Sequence, residues 1–254
     1  MNAMSVNRVS ERGSRAKPSS LLTPTWSRGW TPLNSAPGES ARLATSPLAT
    51  NPERGAYLAM KRALDMTAAA VLLAAVSPVL LFLCLVIKLT SPGPVVFRQT
   101  RCGIGGRHFT CYKFRTMCKG AEALMDDLAD LNEVSGPVFK LRHDPRVTRV
   151  GHFLRKSSLD ELPQLFNVLR GDMTLVGPRP PVPEEVAMYT AHDFGRLAVK
   201  PGMTCLWQVS GRSDIGFAEW VELDLEYIRK RGFWYDAWIM LRTIPAVVSG
   251  RGAV

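Results

Sequence analysis

The apolar positions of this chain follow three kinds of pattern. Residues 66–87 (MTAAAVLLAAVSPVLLFLCLVI) are apolar almost without interruption. A helix rises 1.5 Å per residue, so this run would be about 33 Å long, enough to cross a bilayer's hydrocarbon core. Residues 94–100 and 107–114 are rich in β-branched and aromatic side chains and predict two short strands. Gly103-Ile104-Gly105-Gly106 between them suits a hairpin turn, because glycine accepts positive φ. Residues 119–133, 157–170, 217–230 and 233–249 predict four amphipathic helices, the second ended by Gly171. Residues 1–55 lack apolar periodicity and are rich in Ser, Thr, Pro, Arg and Gly, which predicts a disordered tail. No apolar stretch follows its first basic residues, so it does not read as a secretory signal.

The long apolar run admits two topologies. A straight span would export one of its basic flanks: Lys61 and Arg62 precede it, and Lys88, Arg98 and Arg101 follow it. Positive flanks favour the cytoplasm. Ser77 and Pro78 fall at its middle, and a proline removes one backbone donor and crowds the preceding turn. A helix-break-helix hairpin would keep both flanks on one side, with Ser77 covering a carbonyl freed by Pro78. The fold expected is therefore mixed α/β and mainly α. A re-entrant membrane helix hairpin over 56–90 follows the tail over 1–55. A compact cytosolic domain over 91–254 completes it, with a small β-hairpin and interfacial amphipathic helices.

Composition narrows the partners. The net charge is +10, which suits nucleic acid, a phospholipid surface or a phosphorylated substrate. The apolar run and the lack of a recognisable nucleic-acid module argue against nucleic acid. Cys84, Cys102, Cys111, Cys118 and Cys205 are odd in number and lack C-x-x-C spacing, so neither a disulfide framework nor a zinc site is indicated. His108, His143, His152 and His192 show no metal-ligand spacing. Trp220, Tyr227, Phe233, Trp234, Tyr235 and Trp238 lie among Arg229, Lys230, Arg231 and Arg242. That mixture suits either a membrane interface or an ordinary core with solvated charges. Asp65 is placed to pair with Lys61 or Arg62 at the membrane entry.

The sharpest chemical signal is an acidic pair. Ser158-Leu159-Asp160-Glu161 fits a capping box, with Ser158 as N-cap and Glu161 reaching back to it. Cations surround the pair in sequence: Arg155 and Lys156 upstream, and Arg179 downstream, fixed in Gly177-Pro178-Arg179-Pro180-Pro181. Lys113-Phe114-Arg115 supplies two more. A preorganised guanidinium binds phosphate bidentately, and a carboxylate among cations stays ionised, as a nucleophile must. Capping and catalysis both remain open on this pattern.

From about Met60 onward the chain resembles the bacterial sugar transferase family, the small monotopic phosphoglycosyl transferases. The resemblance rests on Lys61-Arg62 with Asp65, Ser77-Pro78, Lys113-Phe114-Arg115-Thr116-Met117, and Leu159-Asp160-Glu161-Leu162-Pro163-Gln164-Leu165. It continues through Gly171-Asp172-Met173, Val176-Gly177-Pro178-Arg179-Pro180, Lys200-Pro201-Gly202-Met203-Thr204, Trp207-Gln208-Val209-Ser210-Gly211-Arg212 and Ser249-Gly250-Arg251-Gly252. These cover about three quarters of the chain in matching order. The resemblance implies an enzyme at the cytoplasmic face of the bacterial inner membrane, in exopolysaccharide or capsule assembly. It would move a sugar-1-phosphate from a UDP-sugar to undecaprenyl phosphate. The sugar would be a hexose such as glucose or galactose.

The resemblance further implies that Asp160 takes up the phosphosugar and releases UMP. Mg²⁺ would sit at Asp160 and the diphosphate, and Glu161 would position the metal or manage a proton. Arg155 and Arg179, and more weakly Lys113 and Arg115, would bind phosphate. Gln208 and Arg212 are candidates for nucleotide or sugar contact; Asp172 matches the pattern without a derivable role. Membrane lipids are expected partners, and a homodimer is compatible with the sequence. The competing reading is a non-catalytic membrane scaffold that binds anionic lipid.

Overall fold

The computed structural model describes residues 52–134, 136–210 and 215–250. The expected tail lies outside them up to residue 51, as do Arg212, Arg251 and Gly252. The chain opens with one long helix, α1 (Pro52–Thr90), which contains Pro78. It is the one helix among the described residues long and apolar enough to cross a membrane, by length and composition. A break at Ser77–Pro78 was the sequence expectation; the helix is instead continuous there. The reason is local. Pro78 cannot donate to the carbonyl four residues back, Ala74 O. The Ser77 hydroxyl donates to that carbonyl at 2.8 Å.

Both ends of α1, and one face between them, rest on the folded unit. Asp65, Ala69, Leu73, Leu83 and Ile87 are buried at helical spacing on both sides of Pro78. Near the start of α1, Lys61 Nζ reaches Asp236 at 2.7 Å, and Arg62 donates to the carbonyls of Val168 and Leu169. Asp65 accepts from the Thr174 hydroxyl and the Leu175 amide. The expected pairing of Asp65 with Lys61 or Arg62 is therefore not formed, because each basic side chain finds a partner across the fold. The opposite face leaves Val71, Leu72, Leu81, Phe82, Leu85 and Leu89 exposed.

The hairpin follows: β1 (Val96–Cys102) pairs antiparallel with β2 (His108–Phe114), turning through Gly103–Arg107. Residues 119–133, expected to form one helix, are turns and a 3₁₀ segment, Asp126–Leu131. Next come α2 (Arg149–Lys156), a 3₁₀ turn over Leu159–Glu161, and α3 (Gln164–Arg170). The remainder is β3 (Thr174–Val176), α4 (Pro183–Val186), a 3₁₀ segment Asp193–Ala198, β4 (Gly202–Thr204), α5 (Leu206–Ser210), α6 (Phe217–Lys230) and α7 (Phe233–Ser249). The bounds of α6 and α7 coincide with those expected.

Four apolar clusters fix these pieces. Ala69 and Leu73 of α1 pack with Cys111, Leu165, Val168 and Met173. Leu83 and Ile87 pack with Phe114 and Leu154. Val176, Tyr227 and Ile239 join β3 to α6 and α7, and Trp207 stacks on Trp220 at 4.4 Å. Strands β3 and β4 run parallel, a pairing absent from the sequence reading. They are joined so closely that a Cβ on Gly202 would lie 2.1 Å from the Gly177 nitrogen. Only glycine fits there, and the contact pins the Pro178–Arg179 turn onto the 200–204 segment, where Gly202 N donates to Pro178 O at 2.8 Å.

Candidate active site

Helix α2 begins with Thr148 as N-cap, its hydroxyl accepting from Gly151 N at 2.9 Å. A Cβ on Gly151 would fall 2.0 Å from the Thr116 carbonyl oxygen, so α2 lies directly against the strand end after Lys113 and Phe114. Arg155, near the far end of α2, donates Nε to Thr116 Oγ1 at 3.0 Å. The chain then reverses. Ser158 sits at φ 56°, ψ 16°, the one non-glycine residue of positive φ among those described. A left-handed residue with a side chain costs about 1–2 kcal/mol, and such strain clusters at functional sites.

The expected capping box is not formed. Ser158 makes no side-chain cap bond, and residues 159–161 form a 3₁₀ turn rather than the first turn of an α-helix. Pro163 explains this, since it has no amide to bond to Leu159 O as α-helical pairing requires. The turn closes instead through Glu161 N to Ser158 O and Leu162 N to Leu159 O, both at 3.3 Å, and regular helix begins at Gln164. Asp160 is thus turned inward: it is only 8% exposed. No other side chain hydrogen-bonds its carboxylate among the described residues.

Burial pushes Asp160 up to about 6, against the pull of Lys113 and Arg155, with Glu161 adding to the rise. Glu161 behaves oppositely. Burial alone would raise it, but Lys113 Nζ sits 2.6 Å from Glu161 Oε1, and Lys113, Arg179 and Arg101 together hold it below the usual carboxylate range. The pair therefore divides into one ion-paired carboxylate and one poised carboxylate. Arg155 is itself lowered by its burial, with Asp160 opposing that.

A narrow cleft adjoins the pair, lined by Arg101, Lys113, Glu161, Gln164, Arg179 and Gln208 among others. Arg179 has no hydrogen-bond partner among the described residues and is available to an anion. Arg101, in sequence only a basic residue following the apolar run, is buried and held by Pro180 O at 2.9 Å and by Gln99 Oε1. Its signal was weak because a strand arginine inside a hairpin looks like any surface charge. Arg115 goes elsewhere: its guanidinium donates to Pro94 O, to Ser91 and to Ile87 O, tying down the end of α1. Asn167, also unforeseen, is fully buried and bridges Thr110 O and Tyr112 N, locking α3 to the strand that carries Lys113. Asp172 pairs with Arg170 at 3.3 Å and accepts weakly from Asn167, which is a local structural role.

The donor set bears on metals. Among the described residues no three His, Cys, Asp or Glu side chains come together as a cation site. Two adjacent carboxylates, one already paired to Lys113, cannot make a dedicated cage. They do fit Mg²⁺, which takes one or two carboxylates and completes its shell with phosphate oxygens and water.

The sequence model of the bacterial sugar transferase family matches residues 56–250. The chain is 46% identical over 198 residues to the galactosyl transferase CpsE of Streptococcus agalactiae serotype III (strain NEM316), covering 78% of this chain and 44% of that protein. It is 40% identical over 222 residues to the exopolysaccharide production protein ExoY of Rhizobium meliloti (strain 1021), covering 84% of this chain and 98% of that one. A third relative is the UDP-glucose:undecaprenyl-phosphate glucose-1-phosphate transferase of Caulobacter vibrioides (strain ATCC 19089 / CIP 103742 / CB 15). It is 46% identical over 200 residues, 74% of this chain and 70% of that protein. The chain thus spans less than half of the streptococcal relative and nearly all of the rhizobial one. The matched stretch contains the hairpin, the strained turn at Ser158, the acidic pair and the Arg179 loop, and this chain belongs to the bacterial sugar transferase family.

Proposed function

We propose that this protein transfers hexose-1-phosphate, of glucose or galactose, from a UDP-sugar to undecaprenyl phosphate. The reading rests foremost on Asp160, a buried carboxylate that no other side chain among the described residues hydrogen-bonds, set beside Lys113, Arg155 and a cleft bearing Arg101 and Arg179. Ionised Asp160 attacks the sugar-bearing phosphorus; the bond to the bridging oxygen breaks and UMP departs with that electron pair. The phosphosugar is then carried on Asp160 as an acyl phosphate. An oxygen of the lipid phosphate attacks the same phosphorus, and the Asp160 carboxylate is regenerated. Arg179 and Arg101 orient and neutralise the diphosphate, as preorganised guanidinium groups do. Lys113 keeps Glu161 ionised, so that the neighbouring charge remains available to a cation. Asp160 and Glu161 would hold Mg²⁺, which supplies charge neutralisation at the transferring phosphoryl group.

The acceptor's isoprenoid tail keeps its head at the membrane surface, and the folded unit must stand there too. Attachment of both ends of α1 to one folded unit supports a helix whose two ends stay on the same face of the membrane. Helix α7 adds an outward stripe of Trp234, Trp238, Leu241 and Val248. Its spacing matches a helix lying in the interface plane. The test is a single turnover without acceptor. Full-length protein mixed with UDP-glucose or UDP-galactose should release one UMP per enzyme and gain the mass of a hexose phosphate on Asp160. An enzyme that turns over with both substrates yet never carries that adduct would refute the scheme.

A further inference from the structure

Arg101 is the penultimate residue of β1 and is 7% exposed. All its guanidinium nitrogens are engaged. Nη1 donates to Pro180 O at 2.9 Å, while Nε and Nη2 donate to Gln99 Oε1 at 3.0 and 2.7 Å. An arginine only donates, so the Gln99 amide must turn its oxygen towards it. Both partners are neutral, and no carboxylate bonds Arg101 among the described residues. A guanidinium so far out of water ordinarily takes a carboxylate. Burial, and then Arg179, press against its charge, while Glu185, Cys111 and Glu161 ease it only through space.

The same contacts fix the Arg179 loop. Arg101 holds Pro180 O, Cys102 N holds Pro181 O at 2.9 Å, and Gly202 N holds Pro178 O at 2.8 Å. Gln99 therefore acts on Arg179 at second hand, by aligning the guanidinium that grips its loop. The charged residues lining the cleft are Arg101, Lys113, Arg179 and Glu161. Lys113 and Glu161 cancel at 2.6 Å, which leaves Arg101 and Arg179 uncompensated along the cleft. Two fixed positive charges match a nucleotide diphosphate, in which each phosphate is ionised at neutral pH.

We propose that Gln99 is a positioning residue for the donor: its neutral amide holds Arg101 in line without neutralising it, and the cleft so keeps the paired charge that binds a nucleoside diphosphate. The proposal deepens the reading of this cleft as the donor site and rests on it. Stability and binding oppose each other at this position. A glutamate at 99 would meet the Arg101 fork with two oxygens and hold it more tightly than the amide does. Gln99 is half-buried, so a carboxylate there would stay partly hydrated, and Arg101 is desolvated already. The added stability would come with the loss of one of the two free charges.

Calorimetric titration of UDP into full-length protein in neutral detergent micelles, beside thermal unfolding, tests this without any chemistry on Asp160. Gln99→Glu should melt higher than wild type and bind UDP about tenfold more weakly, the scale of one charge-assisted hydrogen bond. Gln99→Met, of similar length and without charge, should melt lower yet lose only about threefold in affinity, the scale of a neutral contact. Affinity would then rank wild type, Met, Glu, while stability ranks Glu, wild type, Met. A glutamine that merely supports the fold would move both in one order, and that result would overturn the proposal. So would wild-type affinity in Gln99→Glu, or a Gln99→Glu protein that fails to fold, since the carboxylate is expected to relieve Arg101. Inorganic pyrophosphate titrated in parallel separates this from the donor reading. If wild type binds pyrophosphate and not UDP, the nucleotide reading of the cleft falls, and the pyrophosphate ranking decides the role of Gln99. A wild type that binds neither anion would overturn both.

Discussion

Asp160 and Asp236 are buried to nearly the same degree, 8% and 6% exposed, yet they live in opposite surroundings. Asp236 is saturated. It accepts from the Tyr57 hydroxyl at 2.8 Å, the Lys61 ammonium at 2.7 Å and the Tyr227 hydroxyl at 2.9 Å. Those three donors come from both ends of the sequence and fasten the long apolar helix α1 to α6 and α7. Asp160 is left short of donors in a strained turn, with its charge balanced from a distance. Burial by itself therefore says nothing about role. A buried carboxylate with every lone pair occupied is an anchor; one with open lone pairs and cations nearby is prepared to react.

The largest break in this comparison is predicted for Asp160→Asn. It should reduce turnover by at least about 10⁴-fold, the scale on which loss of a covalent nucleophile is felt. The fold should survive, because no partner side chain among the described residues is abandoned. Asp236→Asn should do the reverse. It leaves Lys61 without its charge partner in a site that is mostly buried, and losing one member of such a pair costs about 3–5 kcal/mol. Thermal unfolding should fall markedly, while UMP release per folded molecule stays within a few-fold of wild type. Equal activity losses in the two variants would erase the distinction between anchor and nucleophile.

The titration of Asp160 sharpens the same contrast. Burial raises it to about 6 from an ordinary carboxylate value of 3.8. The reactive, ionised form therefore dominates above pH 6, and kcat/KM for the donor should drop tenfold per unit as pH falls below it. Stability runs the other way. A group raised by folding adds stability at low pH and loses it as pH climbs through 6. Asp160→Asn should thus melt higher than wild type at pH 8, and the gap should close by about pH 4. A flat rate profile between pH 5 and 7 would detach the reaction from this carboxylate.

How much of this was readable in advance depended on how local the cause was. The helices over 217–230 and 233–249 were legible because their apolar spacing and their ends are local features. So was the β1–β2 hairpin, from its glycines. The acidic pair, Arg155, Arg179 and Lys113 could be picked out by type and order, and the fold gathers them around one turn. Its geometry was not legible: Ser158 was expected to cap a helix, and the effect of Pro163 on the preceding hydrogen bonds set the turn instead. Arg101 and Asn167 were invisible because their importance lies in long-range partners, Pro180 and Thr110. Arg115 shows the converse. Its motif suggested phosphate, but the carbonyls ending α1 lie within reach and take all the bonds it is seen to make. The parallel β3–β4 pairing was missed because three-residue strands leave no periodicity to read.

The rule that saturation marks an anchor can be tested where the expected effect is smallest. Ala74 O would be orphaned by Pro78, and Ser77 Oγ covers it at 2.8 Å on the exposed face of α1. In water the loss would be trivial, since solvent would bond the carbonyl. In hydrocarbon no water stands in, and an uncovered carbonyl costs about 1 kcal/mol or more even after relaxation. Ser77→Ala should therefore lower stability by about that amount in lipid nanodiscs. Ser77→Thr, which keeps the hydroxyl, should not. The Asp160 burst should be unchanged in both. An equal, small effect of Ser77→Ala and Ser77→Thr would mean that the hydroxyl is incidental. A loss for Ser77→Ala alone would show that the helix passes through its proline intact because one side-chain oxygen replaces the missing backbone donor.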